Sequence, residues 1–350
     1  MEVSSPGRIC LFGEHQDYLG LPVIAMAMNL RLQIHGQRRN DKKIIIHLPD
    51  IGKSESFIIN DSINTKPKNI FASGIKICIE EGLSYSRGFE VEILSRIPIQ
   101  AGAGSSSALI VTWINFLSQI ADNPIDWNSE KIAQLSYQSE VVEFNLPGGI
   151  MDQYSSAFGN CIYLQTAPRI TIQKLNPNLG FFVLGDSCEP KDTIPILKRC
   201  RDMRLNIIQK LKKRDPNFDL HNQDPVDISF LSKDEQNIFN STVNNRDILS
   251  KVLPELSKDQ PDPLFIGKCL LEHHEILRDV LDVSTVKIDN MLDAALDAGA
   301  LGGKITGSGG GGCMFAYAPD NPEIVAEAIQ KAGGRSIVVN SDIGTSIKKI

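Results

Sequence analysis

The chain has 350 residues, 42% of them hydrophobic and 22% charged, with 36 Lys and Arg against 42 Asp and Glu for a net charge of −6. That is enough apolar sequence for a sizeable core and for two domains, and the acidic balance, with a pI near 5.6, argues against a nucleic-acid partner. Seven cysteines (Cys10, Cys78, Cys161, Cys188, Cys200, Cys269 and Cys313) are scattered without C-x-x-C pairs, and MEVSSPGR at the start holds an acid and no apolar run, so reduced thiols, no signal peptide and a cytoplasmic location are expected.

The first informative segment is Ser5 to Ile24, SPGRICLFGEHQDYLGLPVI. Ile9 to Phe12 is a short apolar run, after which Gly13 turns the chain into Glu14, His15 and Asp17. Three polar groups within four positions between apolar runs suit a binding loop on a rigid strand, although a solvated turn has the same composition. Arg8 is the residue that a turn explains least. Strands are predicted at Leu30 to His35, Lys43 to Leu48 and Ser56 to Asn60, then a helix over Asn69 to Glu81 and a strand over Phe89 to Ile97.

Ile97 to Ala121, IPIQAGAGSSSALIVTWINFLSQIA, has no charged residue. Pro98 ends the strand, Gly102 and Gly104 permit unusual backbone shapes, and Ser105 to Ser107 suit a helix start. Leu109, Ile110, Trp113, Ile114, Leu117 and Ile120 follow a 3.6-residue period, so the stretch reads as strand, glycine loop and buried helix. The helix of about 15 residues is shorter than the roughly 20 of a membrane span, which excludes that reading. Gly104 to Ala108 approaches the G-x-S-x-G nucleophile elbow, but Ala stands in the last position and no partner His can be singled out. An exposed helix start presents unpaired N–H groups and the positive end of the dipole, a ready site for phosphate.

Ser129 to Phe144 reads as a further helix, with Glu140 close to the face of Ile132, Leu135 and Val142. A carboxylate there needs a partner, and a metal ion is one choice; an exposed flank is the other. Pro147-Gly148-Gly149 turns the chain ahead of Asp152, 12 positions beyond Glu140, so a hairpin-like return brings both carboxylates toward one cleft. In the second half strands are expected at Cys161 to Gln165, Ile170 to Lys174 and Phe181 to Leu184. Helices are expected at Thr193 to Lys212, Lys233 to Leu256, Pro263 to Leu281 and Thr285 to Ala298, with a surface loop over Asp215 to Pro225. His273 and His274 lack the H-E-x-x-H spacing of a zinc site.

Lys304 to Gly312, KITGSGGGG, forms a second glycine loop, ahead of a strand at Cys313 to Ala318, a helix at Pro322 to Ala332 and a strand at Ser336 to Asn340. Gly307, Gly309 and Gly312 fit G-x-G-x-x-G, but a Rossmann unit requires a helix where this chain places a strand. Gly302 to Ile305 also fails the Walker pattern. Glycine loops on both halves point to a cleft between domains.

In this order and spacing, PGRICLFGEHQDYLG, IPIQAGAGSSSAL and KITGSGGGGC together resemble the GHMP kinases, and LPGGIMDQ and HEILRD resemble their galactokinase branch. The resemblance implies an α+β GHMP kinase fold: a ribosomal-protein-S5-like N-terminal domain, taken as 1–168, and a ferredoxin-like C-terminal domain, taken as 169–350. It implies an ATP-dependent, Mg²⁺-requiring kinase with no membrane partner. By the same resemblance Gly102, Gly104, Ser105, Ser106 and Ser107 would wrap the ATP phosphates, with Gly307 and Gly309 closing over them. Ser106 and Glu140 match the Mg²⁺ positions, Asp152 the catalytic Asp and Arg8 its neighbouring cation, while Glu14, His15, Asp17 and Gly149 match sugar-binding positions.

Gln16, Leu19 and Leu21 depart from the galactokinase motif, and Asp192 to Arg201 lacks its sugar-contacting aromatic residue. The expected substrate is therefore a monosaccharide other than galactose, phosphorylated at the anomeric C1 hydroxyl. The alternatives are a mevalonate kinase, which shares the short N-terminus and the third motif, and a non-catalytic sugar and ATP sensor on the same fold.

Overall fold

The computed structural model describes residues 1–59, 69–99, 101–191, 193–222 and 226–348. The expected strand end at Asn60 and the loop's 223–225 lie outside them, as do Gln100 and Asp192. The first of two sheets contains β1 (Glu2–Phe12), β2 (Val23–Arg38), β3 (Lys43–Leu48), β4 (Lys53–Ile58), β5 (Phe89–Ser95), β6 (Cys161–Gln165), β7 (Thr171–Leu175) and β12 (Ser346–Lys348). Its order is β12-β1-β2-β5-β3-β4, with β6 on β2 and β7 on β6; pairing is antiparallel except between β3 and β5. Both β1 and β2 run longer than the apolar segments predict. Nearly every residue of β1 and the first six of β2 are buried, so those stretches show no polar alternation to mark them.

Helices α2 (Ser105–Ile120) and α4 (Met151–Phe158) pack on this sheet, with α1 (Ile70–Glu80) and α3 (Ser129–Tyr137) packed against them. Asn69 caps α1 by accepting from the amides of Phe71 and Ala72, and Asn128 caps α3 through Lys131. Trp113 of α2 is fully buried, stacked at 5.8 Å on Phe116 and donating its indole N–H to Phe71 O at 3.1 Å. The helix expected over Ser129 to Phe144 is not continuous. It leaves α geometry at Tyr137 and passes through a π-helical turn, Gln138–Val142, a change that period counting does not reveal.

The second sheet holds β8 (Phe182–Asp186), β9 (Gly302–Ile305), β10 (Cys313–Tyr317) and β11 (Arg335–Val339), all antiparallel in the order β11-β8-β10-β9. Helices α8 (Val286–Asp297) and α9 (Pro322–Lys331) pack on it, completing the β-α-β-β-α-β order of a ferredoxin-like unit. Between β8 and α8 run α5 (Thr193–Arg214), α6 (Lys233–Leu256) and α7 (Pro263–Glu275). A capping box of Ser232 and Glu235 starts α6, and Asp262 followed by Pro263 starts α7. The helix expected from Pro263 to Leu281 ends at Glu275 and continues as a π turn, Ile276–Val280. Gly302–Ile305, expected partly within the glycine loop, is a strand, so the third-motif loop proper is Thr306 to Gly312.

The chain crosses between the sheets more than once: β7 and β12 both lie beyond residue 168 in sequence yet hydrogen-bond into the first sheet. Among the described residues no helix is long and apolar enough to cross a membrane, and α2, the helix of the charge-free stretch, has 16 residues.

Where β2 passes beneath α2, Gly36 admits the ring of Phe116: a Cβ there would lie 2.4 Å from it. Gly36→Val is expected to lower unfolding free energy by about 1–3 kcal/mol through overpacking, read as a lower urea midpoint at unchanged slope.

Candidate active site

The site grows from β1. Its pairing with β2 slips between Pro6 and Arg8, and Gly7 lies so close to the glycine loop that a Cβ would fall 2.7 Å from Ala103 O. Arg8 donates its backbone N–H to Ala103 O at 3.0 Å and its Nη1 to Gly102 O at 2.5 Å. Nε and Nη2 grip Asp152, in the first turn of α4, at 2.8 Å to Oδ1 and 2.5 Å to Oδ2. Burial opposes the guanidinium charge, but the Asp152 carboxylate overrides it and raises the pKa, so Arg8 is a permanent cation.

Helix α2 starts at the serine run, as the sequence suggests, but no serine is its cap. The cap is Gly104, at φ 78° in the left-handed region, and it makes no side-chain hydrogen bond to the helix; Ser105, Ser106 and Ser107 are the first helical residues. The leading amides of α2 therefore open toward the cleft without a capping side chain, and the dipole favours an anion there.

The third-motif loop of the second sheet closes against this turn. Gly102 and Gly307, at φ 86° and 80°, approach so closely that a Cβ on Gly307 would lie 2.7 Å from Gly102 O. Cys313 N–H donates to Ala101 O at 2.6 Å, tying β10 to the first loop. A cleft of about 670 Å³ opens here, lined from both sheets. Of the residues singled out by sequence, Arg8, Glu14, His15, Asp17, Gly102, Gly104, Ser105, Ser106, Ser107, Glu140, Gly149, Asp152 and Gly307 line it. Gly309 does not: it packs on Val283, where a Cβ would meet Val283 Cβ at 2.5 Å, so its glycine serves loop packing.

At one end the cleft is polar. Glu14 accepts from Lys304 Nζ at 2.8 Å in an ion pair with side chains 3% and 0% exposed. His15, in the left-handed region at φ 62°, sets Nδ1 2.9 Å from Tyr18 OH and Nε2 3.2 Å from Ser308 O. Burial, then the charge of Arg204, lowers its pKa to about 3, so the ring is neutral near pH 7. Tyr18 OH also accepts from Arg204 of α5. Asp17 accepts from the amides of Tyr18 at 2.9 Å and Met151 at 3.2 Å, and burial pushes its pKa up to about 6 against those two bonds. Gly149 lies flat on that carboxylate, where a Cβ would come within 1.8 Å of Asp17 Oδ2. The cleft also has an apolar part, lined by Leu32, Leu48, Ile93, Ile99 and Leu109.

The π turn brings Glu140 to the same cleft, where its carboxylate accepts from Ser107 Oγ at 2.7 Å and Gln153 Nε2 at 2.6 Å. Burial raises its pKa, and bonds from Ser106, Ser107 and Gln153 restrain the rise. Among the described residues no three His, Cys, Asp or Glu side chains converge as a protein metal cage. Mg²⁺ in nucleotide sites needs only one or two carboxylates beside phosphate oxygens and water. Glu140 and the exposed Ser106 fit that donor set, and Gln153 Oε1, buried without a partner among the described residues, fits a water of the ion's shell.

Sequence reasoning missed Lys304, Gln153, Ser308 and Lys191 as site residues. The first three stand inside recognised motifs and were legible there as polar residues next to the assigned positions. Asn245 of α6, which donates to Glu14 O at 3.1 Å, and Arg204 carry no local signal, because distant helices deliver them.

Comparison with known proteins identifies the family. Residues 69–160 match the GHMP kinases N terminal domain, 259–335 the GHMP kinases C terminal domain, and 1–38 the galactokinase galactose-binding signature. The mevalonate kinase of Thermococcus gammatolerans is 30% identical over 99% of this chain and 98% of its own. The galactokinase of Haemophilus influenzae is 26% identical over 95% of this chain and 90% of its own. The crystal structure of Lactococcus lactis galactokinase complexed with galactose superposes with a TM-score of 0.83, covering 99% of this chain and 94% of that one at 21% identity. The chain belongs to the GHMP kinases, a family of ATP-dependent kinases that generally use Mg²⁺.

Because folded Asp17 holds its proton to about pH 6 while an unfolded Asp releases it near 3.8, the folded state binds the extra proton between those values. Asp17 then takes stability away as pH rises across that window. Relative to wild type, Asp17→Asn is expected to gain on the order of 1 kcal/mol between pH 4 and pH 6, measured by urea unfolding at each pH.

Proposed function

We propose that the chain transfers the γ-phosphate of ATP to a monosaccharide hydroxyl, with the anomeric C1 hydroxyl as first choice. The observation that carries this reading is the Arg8–Asp152 pair at the meeting point of two glycine loops, with an open helix start on one side and a polar pocket on the other. The amides at Gly104 to Ser107 would receive the phosphates, Gly307 would close over them, and the apolar part would take the base. Ser106 and Glu140 would hold Mg²⁺, which supplies charge neutralisation on the phosphates. Asp152 would accept the substrate hydroxyl proton, while Arg8 orients its carboxylate through two parallel bonds. The two halves of the chain, 1–168 and 169–350, would then act as nucleotide half and closing half.

A polyhydroxylated substrate is supported by the galactose-binding signature over 1–38 and by the convergence of Glu14, His15 and Asp17, with Gly149 packed against the carboxylate of the last. Tyr18 lines the pocket from the first-motif loop and supplies an aromatic residue there, whereas the start of α5 supplies none: residues 193–201 hold no aromatic side chain. The second reading, a mevalonate kinase, is favoured by the Thermococcus relative. Glu14 is also tied to Lys304, which leaves it less free for a sugar hydroxyl.

ADP release with Mg-ATP against galactose, N-acetylgalactosamine, fucose, arabinose, uronic acids and mevalonate separates these. Turnover of one sugar is expected, with NMR placing the phosphate on C1; turnover of mevalonate alone contradicts the sugar reading. On the accepted substrate, Asp152→Asn is expected to lose roughly 10²–10⁴-fold in kcat while ATP affinity holds.

A further inference from the structure

Two cationic side chains, Arg8 and Lys191, line the cleft beside the glycine loops. Arg8 already commits three N–H groups, two to Asp152 and one to Gly102 O. Lys191 follows β8 on the second sheet and stretches across the junction of the loops. A Cβ on Gly312 would lie 3.2 Å from its Cδ, and a Cβ on Gly102 would lie 2.8 Å from its Nζ. The ammonium thus rests on the same glycine whose carbonyl holds Arg8, at the loop that leads into the open amides of α2.

Among the described residues the Lys191 ammonium has no hydrogen-bonded acceptor. Burial, and then repulsion from Arg8, lowers its pKa. A half-buried ammonium facing another cation is unfavourable unless an anion joins them. The adjoining helix start favours an anion at the same place.

We propose that Lys191 binds the terminal phosphate of the nucleotide, reaching from the second half of the chain to supply the cation that a Walker lysine supplies in P-loop enzymes. The inference rests on the kinase reading of the cleft. It adds a charged ligand contributed by the closing half, so that the nucleotide is held from both sides of the joint between the two glycine loops. It also places the anion on the nucleotide rather than on the acceptor, because Lys191 sits on the phosphate loop.

The test is calorimetric binding of ATP and of AMP, each with Mg²⁺, to wild type, Lys191→Met and Lys191→Arg, with thermal unfolding of the three proteins without nucleotide as the folding control. A charge-assisted hydrogen bond to phosphate corresponds to roughly 10–100-fold in affinity. Lys191→Met is therefore expected to weaken ATP by that factor and leave AMP unchanged, and Lys191→Arg to recover most of the loss. Wild-type ATP affinity in Lys191→Met overturns the proposal while leaving the kinase reading intact, as does an equal loss of ATP and AMP. Absence of ATP binding by wild type overturns the kinase reading itself.

Discussion

The guanidinium of Arg8 is the junction on which the site depends. One side chain binds the carboxylate of Asp152 in two parallel bonds and the carbonyl of Gly102 in a third, so β1, the start of α4 and the glycine loop before α2 are held in one register. Planar geometry matters here, since a lysine would offer a point charge without the fork that aligns both oxygens of Asp152. Because the pair is largely buried, neither partner can be removed without leaving the other charge short of compensation. The pair therefore fixes the orientation of Asp152 before any ligand arrives.

Around that junction the two sheets meet through backbone rather than side chains. Gly102 and Gly307 occupy left-handed conformations and approach to distances that exclude a Cβ, and the Cys313 amide reaches Ala101 O. The contact lets main-chain amides from both sheets face the cleft, at the entropic cost that glycine carries in an ordered loop. The polar pocket is crossed by the same joint: Glu14 meets Lys304, and His15 meets Ser308 O. Each of these ties a first-motif residue on β1's loop to the third motif, so movement of one loop is transmitted to the groups lining the other.

Much of this was legible in the sequence, and the misses have physical reasons. The glycine loops, the α2 helix and α6 were readable because propensity, period and capping agree there. Long buried strands β1 and β2 were under-read because burial on both faces removes the alternation on which strand reading relies. Glu140 reaches the cleft with Asp152, as their spacing suggests, but it does so from a π turn that period counting does not reveal. Gly309 looked like a ligand glycine but packs on Val283, since a run of glycines does not say which members face the cleft. Lys191 gave no signal because its place depends on the meeting of two loops more than 200 residues apart.

Hydrogen–deuterium exchange with and without Mg-ATP tests most directly whether both glycine loops bind one nucleotide. Amides across 101–107 and 306–312 are predicted to gain protection together and with the same nucleotide dependence. Protection confined to 101–107, with 306–312 unchanged at saturating Mg-ATP, would contradict a shared nucleotide site.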